Sequence, residues 1–359
     1  MTESVTKRFS RTSMKPVILL LTLAAAALIP ALSQNPNPFT GRWDLTLTAD
    51  GIKFPSWLEV TEKGGELQAR AQQRTGNVAP VAGVKMDGGK LLVTVVGGAP
   101  ARPAQDNRPA APARSELIWE LTRKGSDLMG VQKQGAVTWQ LAGVRAPVLD
   151  RPAPKTWGAP ETLFNGKDLT GWEPINNTPE AIAEKFTSHW AAKNGELTNE
   201  ARGSNIRTTR TFQDFKLHVE WMCPPAENSG VYLRGRYETQ VAPPPAPAAT
   251  AVQPLLKKGS AGRGGYSNPY GGVACIYGML GPSKPPKFNA EWQVYDITLI
   301  GRKVTVVFNG ETLIDNQEIA GVTGGALDSN EGEPGPIYFQ GDHHGGIRYR
   351  NITIALPKK

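Results

Sequence analysis

Phe215-Lys216-Leu217-His218-Val219-Glu220-Trp221 alternates apolar and polar residues without a break, and Met222 follows. Successive side chains of an extended chain point to opposite faces, so this stretch reads as a β-strand with one buried face. A helix would scatter Phe215, Leu217, Val219 and Trp221 around its circumference. Outward from it, the same period returns along the chain. Trp43, Leu45 and Leu47 alternate with Asp44, Thr46 and Thr48. Strand patterns follow at 56–61, 66–72, 91–96, 115–121, 128–132 and 137–144, with Gly64-Gly65, Gly88-Gly89, Gly125 and Gly135 as turns between them. Residues 38–146 therefore read as a small antiparallel β-barrel or sandwich, with the Pro/Ala-rich 99–113 as a flexible loop inside it.

On the C-terminal side, Val231 and Leu233 alternate with Tyr232, Arg234, Arg236, Glu238 and Gln240. Asn309-Gly310 between apolar runs predicts a hairpin. The period returns from Ile347 to Ile354, and 179–186 is the one short helix expected. The chain is thus all-β: residues 159–357 form a second β domain, reached through a Pro-rich linker at 147–158. The 39 glycines and 30 prolines suit a protein made of strands and turns. Residues 242–265, rich in Pro, Ala and Gly, are expected to be a long mobile loop.

Residues 1–33 read as a secretory signal. Lys7, Arg8, Arg11 and Lys15 precede the apolar run 17–29, and Ala31-Leu32-Ser33 places small residues for cleavage before Gln34. The run is short for a membrane span, which takes about 20 residues. With no Cys after the small residues, the expected product is unanchored, without a membrane span, and periplasmic or secreted. The segment accounts for +3 of the net charge of +8. The rest is mildly basic without a Lys/Arg block, so nucleic-acid binding is not suggested. Cys223 and Cys275 leave two readings open, a disulfide or two buried thiols.

No Gly-x-Ser-x-Gly elbow, His-Glu-x-x-His, phosphate loop or Rossmann glycine pattern occurs. Two clusters carry chemistry instead. Tyr232, Arg234, Arg236, Glu238 and Gln240 share parity, so a regular strand would set them on one face. That face is either solvated or the floor of a polar cleft suited to sugars. Gln340-Gly341-Asp342-His343-His344-Gly345 gathers two of the four histidines beside an acid. For His343 the functional reading is favoured, because His titrates near neutrality. His189 and His218 read as structural. Metal binding by Asp342 and His343 has no confirming spacing. The acidic 328–333 segment lacks calcium-loop spacing and reads as an ordinary loop.

The second domain resembles the 3-keto-disaccharide hydrolase domain family. The matching stretches are 163–172 (LFNGKDLTGW), 228–234 (NSGVYLR), 237–241 (YETQV), Ile276-Tyr277-Gly278, Glu291-Trp292, Phe308-Asn309-Gly310, Gln340-Gly341-Asp342-His343 and Arg350-Asn351-Ile352. The resemblance implies a concanavalin/laminin-G-like jelly-roll sandwich with its site on one sheet. It implies a hydrolase or lyase acting on glycosides already oxidised at carbon 3. Glu238, His343 and Glu220 are then the candidate acids and bases. Arg234, Arg236, Gln240, Tyr277, Gln340 and Asp342 are the candidate substrate-binding residues. Arg234 or a bound divalent cation is expected to stabilise the enolate. A non-catalytic, lectin-like carbohydrate-binding protein is the alternative, because fold does not fix function.

Overall fold

The computed structural model describes residue 1 and residues 37–72, 78–97, 115–134, 137–225, 227–243, 271–343 and 345–358. The expected signal, the loop 99–113, and the loop 242–265 beyond Pro243 lie outside the described residues. Alternation of apolar and polar residues becomes strand after strand. Eight strands close an antiparallel barrel in sequence order: β1 (Gly41–Ala49), β2 (Ile52–Lys63), β3 (Glu66–Gln72), β4 (Val78–Asp87), β5 (Lys90–Gly97), β6 (Ser115–Lys124), β7 (Asp127–Gln134) and β8 (Val137–Arg145). β8 returns to β1 with Trp43 opposite Arg145 and Thr48 opposite Gln140. Trp43, Leu45, Leu58, Val60, Leu91, Val93, Trp119 and Leu121 fill the interior. The two-residue period does not single out β4, whose Lys85 and Met86 are both exposed.

The remaining strands make two facing sheets. They are β9 (Glu161–Thr162), β10 (Trp172–Ile175), β11 (Trp190–Lys193), β12 (Glu196–Asn199), β13 (Asn205–Thr208), β14 (Phe215–Met222), β15 (Ser229–Leu233), β16 (Tyr237–Val241), β17 (Gln293–Ile300), β18 (Lys303–Phe308), β19 (Glu311–Glu318), β20 (Tyr338–Phe339) and β21 (Ile347–Ala355). One sheet runs β10-β13-β20-β15-β16; the larger runs β11-β12-β21-β14-β17-β18-β19, with β9 on β21. Phe215, Leu217, Val219 and Trp221 of β14 all point into the core between them. Phe339 of the smaller sheet stacks on Tyr349 of the larger at 4.1 Å between ring centroids. Asn309 and Gly310 turn β18 into β19 with φ of 49° and 79°, the left-handed pair that an Asn-Gly hairpin requires. The helix is α1 (Pro179–Glu184), capped by the Thr178 hydroxyl, which accepts from the Ala181 N–H, with Pro179 at its start. No helix among the described residues is long and apolar enough to cross a membrane. Cys223 and Cys275 are buried free thiols, both pushed up to about 12 by burial.

Barrel and sheets share one compact unit over Asn37–Lys359. β3 pairs only with the stretch from Leu58 to Lys63 of β2, so the leading half of β2 has β1 alone as its strand neighbour among the described residues. Trp57 in that half packs on Val322 and Ala326 and donates its indole N–H to the Val322 carbonyl at 3.1 Å. A Cβ on Gly321 would stand 2.4 Å from the Trp57 ring, so the glycine makes the notch that admits it. Beside this contact, the Ser329 hydroxyl donates to the Leu45 carbonyl, and Arg42 pairs with Glu318. The 147–158 segment packs along the sheets. Leu149 is buried, and its carbonyl would lie 1.8 Å from a Cβ on Gly301.

A polar network is also buried at this junction. Glu331 takes the Arg302 fork at 3.1 and 2.7 Å and accepts the Tyr237 hydroxyl at 2.6 Å. Asp44 of β1 faces the same group, with Arg302 4.0 Å away. Burial, and then the Glu331 carboxylate beside it, push the Asp44 carboxyl up to about 9. The folded protein thus holds a proton that the unfolded chain releases near its ordinary value of 3.8. The resulting stability is complete below that value and is lost as pH rises through the folded one. The urea midpoint should therefore fall between about pH 6 and about pH 10. Asp44→Asn keeps an N–H toward Glu331 at every pH, so its midpoint should fall less; an identical fall in both proteins would refute this account.

Candidate active site

The hairpin β15–β16 decides which side chains meet. Its register sets Tyr232 opposite Glu238 and Gly230 opposite Gln240. Alternation then turns Val231, Leu233, Tyr237 and Val241 to the core, and Tyr232, Glu238 and Gln240 to the outer face. Arg234 and Gly235 between the strands have φ of 52° and 67°. The chain reverses there; with Leu233 opposite Tyr237 the parity of the two strands is kept, but residues 234–236 lie in the turn, where strand alternation no longer applies. Arg234 and Arg236 consequently leave the outer face. Arg234 is fully buried and donates to the Tyr237 hydroxyl at 3.0 Å and to the Gly301 carbonyl at 2.8 Å. Arg236 donates to Asp328 at 2.7 Å and to the Glu333 carbonyl at 2.9 Å, so it ties down the 323–336 segment.

The outer face opens into a cleft of about 440 Å³. Among the expected site residues, Glu238, Gln240, Tyr277, Gln340 and His343 line it. Asp342 stands immediately behind, its carboxylate 2.8 Å from His343 Nδ1. Glu220 does not come to the cleft. It lies on β14 in the other sheet, accepts from Arg350 and Asn351 at 2.7 Å each, and borders a separate depression with His218. Pairing of Glu220 and Glu238 across one sugar is therefore not available.

Tyr232 and Tyr338 stack across β15 and β20 at 3.8 Å between centroids, and their hydroxyls donate to the Gly324 and Gly325 carbonyls. This holds the 323–327 segment over the sheet. Glu238 is 4% exposed, and Gly230 makes room for it, since a Cβ there would lie 2.5 Å from its Oε1. Burial pushes the Glu238 carboxyl up to about 8, against the opposing pull of the Tyr232 hydroxyl and of His343. The hydrogen bond to Asp342 raises the His343 imidazole above its usual 6.5, more than burial lowers it. Burial opposes ionisation of Asp342, but the hydrogen bonds from His343 and Thr178 outweigh it and keep that carboxyl low. The cleft thus pairs a carboxylic acid that is neutral at pH 7 with an Asp-oriented imidazole.

Sequence reasoning missed the residues that seat this pair. Buried Asn205 accepts from the Gly341 and Asp342 N–H groups at 2.7 and 3.2 Å and donates to Asn177 at 2.8 Å. It fixes the 340–343 turn against the start of α1. Asn177, Thr178 and Glu180 line the cleft, and so do Phe54 and Pro55 of the barrel. Asn228 borders it as well, with a buried Oδ1 that has no hydrogen-bond partner among the described residues. Asn228 stood inside a family-like stretch, which was the available signal; the others carry none. Among the described residues, no three His, Cys, Asp or Glu side chains are grouped to hold a metal ion.

A polar cleft with a neutral acid and an oriented imidazole, on the face of a β-sandwich, fits a glycoside-acting enzyme. The chain belongs to the family of 3-keto-alpha-glucoside-1,2-lyase-like domains, which matches residues 159–355. A comparison with curated proteins finds no match. Among solved structures, the chain is similar to a candidate glycosyl hydrolase from Parabacteroides distasonis, with 26% identity over 57% of this chain and 92% of that one, at a TM-score of 0.39. A second such protein from the same organism shares 20% identity over 54% of this chain and 92% of that one, also at 0.39.

Gly230→Ala tests how Glu238 is seated. The added methyl displaces the carboxyl, and turnover should fall about 100-fold, as misplaced catalytic groups do, while the far-UV circular dichroism stays that of a β protein. Undiminished turnover would show that Glu238 is not held by this gap.

Proposed function

We propose that this is an exported enzyme that cleaves 3-keto-glycosides by elimination across carbons 1 and 2, followed by hydration. The observation that carries the reading is the meeting of Glu238 with the Asp342–His343 pair in one cleft. A ketone at carbon 3 acidifies the hydrogen on carbon 2. His343, neutral above its raised pKa, takes that proton, and the C2–H electrons form the enolate. The enolate collapses to a C1=C2 double bond as the C1–O bond breaks. Glu238, protonated below about 8, gives its proton to the departing oxygen. Water then adds across the double bond, and the sum is hydrolysis. Amides of Gln240 and Gln340, both lining the cleft, are suited to the sugar hydroxyls and the carbon 3 oxygen. A lectin-like role would not call for an acid kept neutral at pH 7 beside an oriented imidazole. The signal-like residues 1–33 support export, into a compartment where scavenged glycosides arrive.

A 3-keto-glucoside incubated with the enzyme should release its aglycone, and in heavy water the sugar should gain deuterium at carbon 2; cleavage without deuterium would point to direct hydrolysis. The pH profile of kcat/KM should be a bell. Its acid limb belongs to His343, above 6.5, and its alkaline limb to Glu238, near 8. Glu238→Gln should cost about 10²–10⁴-fold in kcat and remove the alkaline limb. Full turnover by the Glu238→Gln, His343→Ala double variant would exclude this site.

A further inference from the structure

The cleft has two unlike sides. Glu238, Gln240, Gln340 and His343 make the sheet side polar. On the barrel side stand Phe54 and Pro55 of β2, with Ala326 completing the surface. Trp57 and Val322 back Ala326 in a small apolar cluster of their own. Phe54 is 7% exposed, so only part of its ring reaches the cleft; the remainder is locked in the barrel core. Pro55 has no N–H, so this half of β2, without β3 beside it, presents no backbone donor at that residue. The wall is apolar, short of hydrogen-bond donors, and pre-formed.

From this we infer that the barrel supplies the leaving-group subsite, and that the enzyme takes glycosides whose aglycone is apolar. The inference rests on the glycoside-cleaving reading of the same cleft and extends it to the substrate class. A sugar ring carries hydroxyls around its rim and is matched by the polar side. A second sugar would leave its hydroxyls unpaired against Phe54, Pro55 and Ala326, a mismatch that binding sites penalise. An aryl or alkyl group placed there gives up water without loss of a hydrogen bond. Phe54 and Pro55 lie outside 159–355, so the specificity is a property that the barrel adds to the family domain.

Benzyl and methyl 3-ketoglucosides test this, because the two alcohols are of similar basicity and differ in apolar surface. The wild-type enzyme should prefer the benzyl compound in kcat/KM by about 10-fold or more, the range typical of an apolar pocket. Phe54→Leu retains a core-filling side chain, so the protein should fold. It should lose most of that preference, with kcat/KM falling further on the benzyl compound than on the methyl compound. Equal use of both substrates by the wild type, equal loss on both in the variant, or a clear preference for a 3-keto-disaccharide would overturn the inference. A readout free of turnover is saturation-transfer NMR with benzyl glucoside. Ring protons that saturate strongly in the wild type and weakly in Phe54→Leu support the subsite, and absent saturation refutes it. Ring saturation without cleavage of any 3-ketoglucoside would count against the 3-keto reading alone.

Discussion

Glu238 is a carboxyl buried on the outer face of a sheet, where a strand residue would ordinarily meet water. Its neutral state at pH 7 exists only while that face stays covered. The cover is the 323–327 segment, held from below by the Tyr232 and Tyr338 hydroxyls and from above by Trp57 of the barrel. The sheet, its cover and the barrel therefore form one chain of dependence. Strand register places the acid, tyrosines hold the cover, and a tryptophan from a different sheet system presses on it. Loosening any part readmits water, and the acid reverts toward an ordinary carboxylate.

The fold was legible because two-residue alternation is a local property. Phe215 to Trp221 read as a strand and is one, and Asn309-Gly310 read as a hairpin turn and is one. β4 escaped notice because the barrel leaves both faces of its middle residues largely wet, so no alternation was imposed on it. The site was legible in part. Glu238, Gln240, Gln340 and His343 were named and line the cleft. Arg234 and Arg236 were placed with them by extending the alternation into the turn itself, since a non-glycine residue at φ 52° leaves no mark in sequence. Glu220 failed for a different reason. Its strand was read correctly, but nothing local says which of two sheets a strand joins. Asn205, Thr178 and Phe54 belong to three separate elements, and only the folded topology brings them together.

The buried arginines that left the site have another task. Arg236 pins the segment that covers the cleft, and Arg302 binds the Glu331 carboxylate between the barrel and the larger sheet. Buried ion pairs contribute little net stability, because desolvation offsets their attraction. They do penalise alternative dockings, in which one charge would be stranded. At this junction the network fixes orientation, while Trp57, Val322 and Ala326 provide the apolar contact.

The notch at Gly321 carries a consequence for how such a protein changes over generations. Trp57 fits only because residue 321 lacks a side chain, and the fit lies one step from the cleft wall. Any lineage that enlarges either partner must alter the other. The two regions, more than 260 positions apart in the chain, are thereby inherited as a single unit, and a barrel transplanted from a relative would bring the wrong half of a lock.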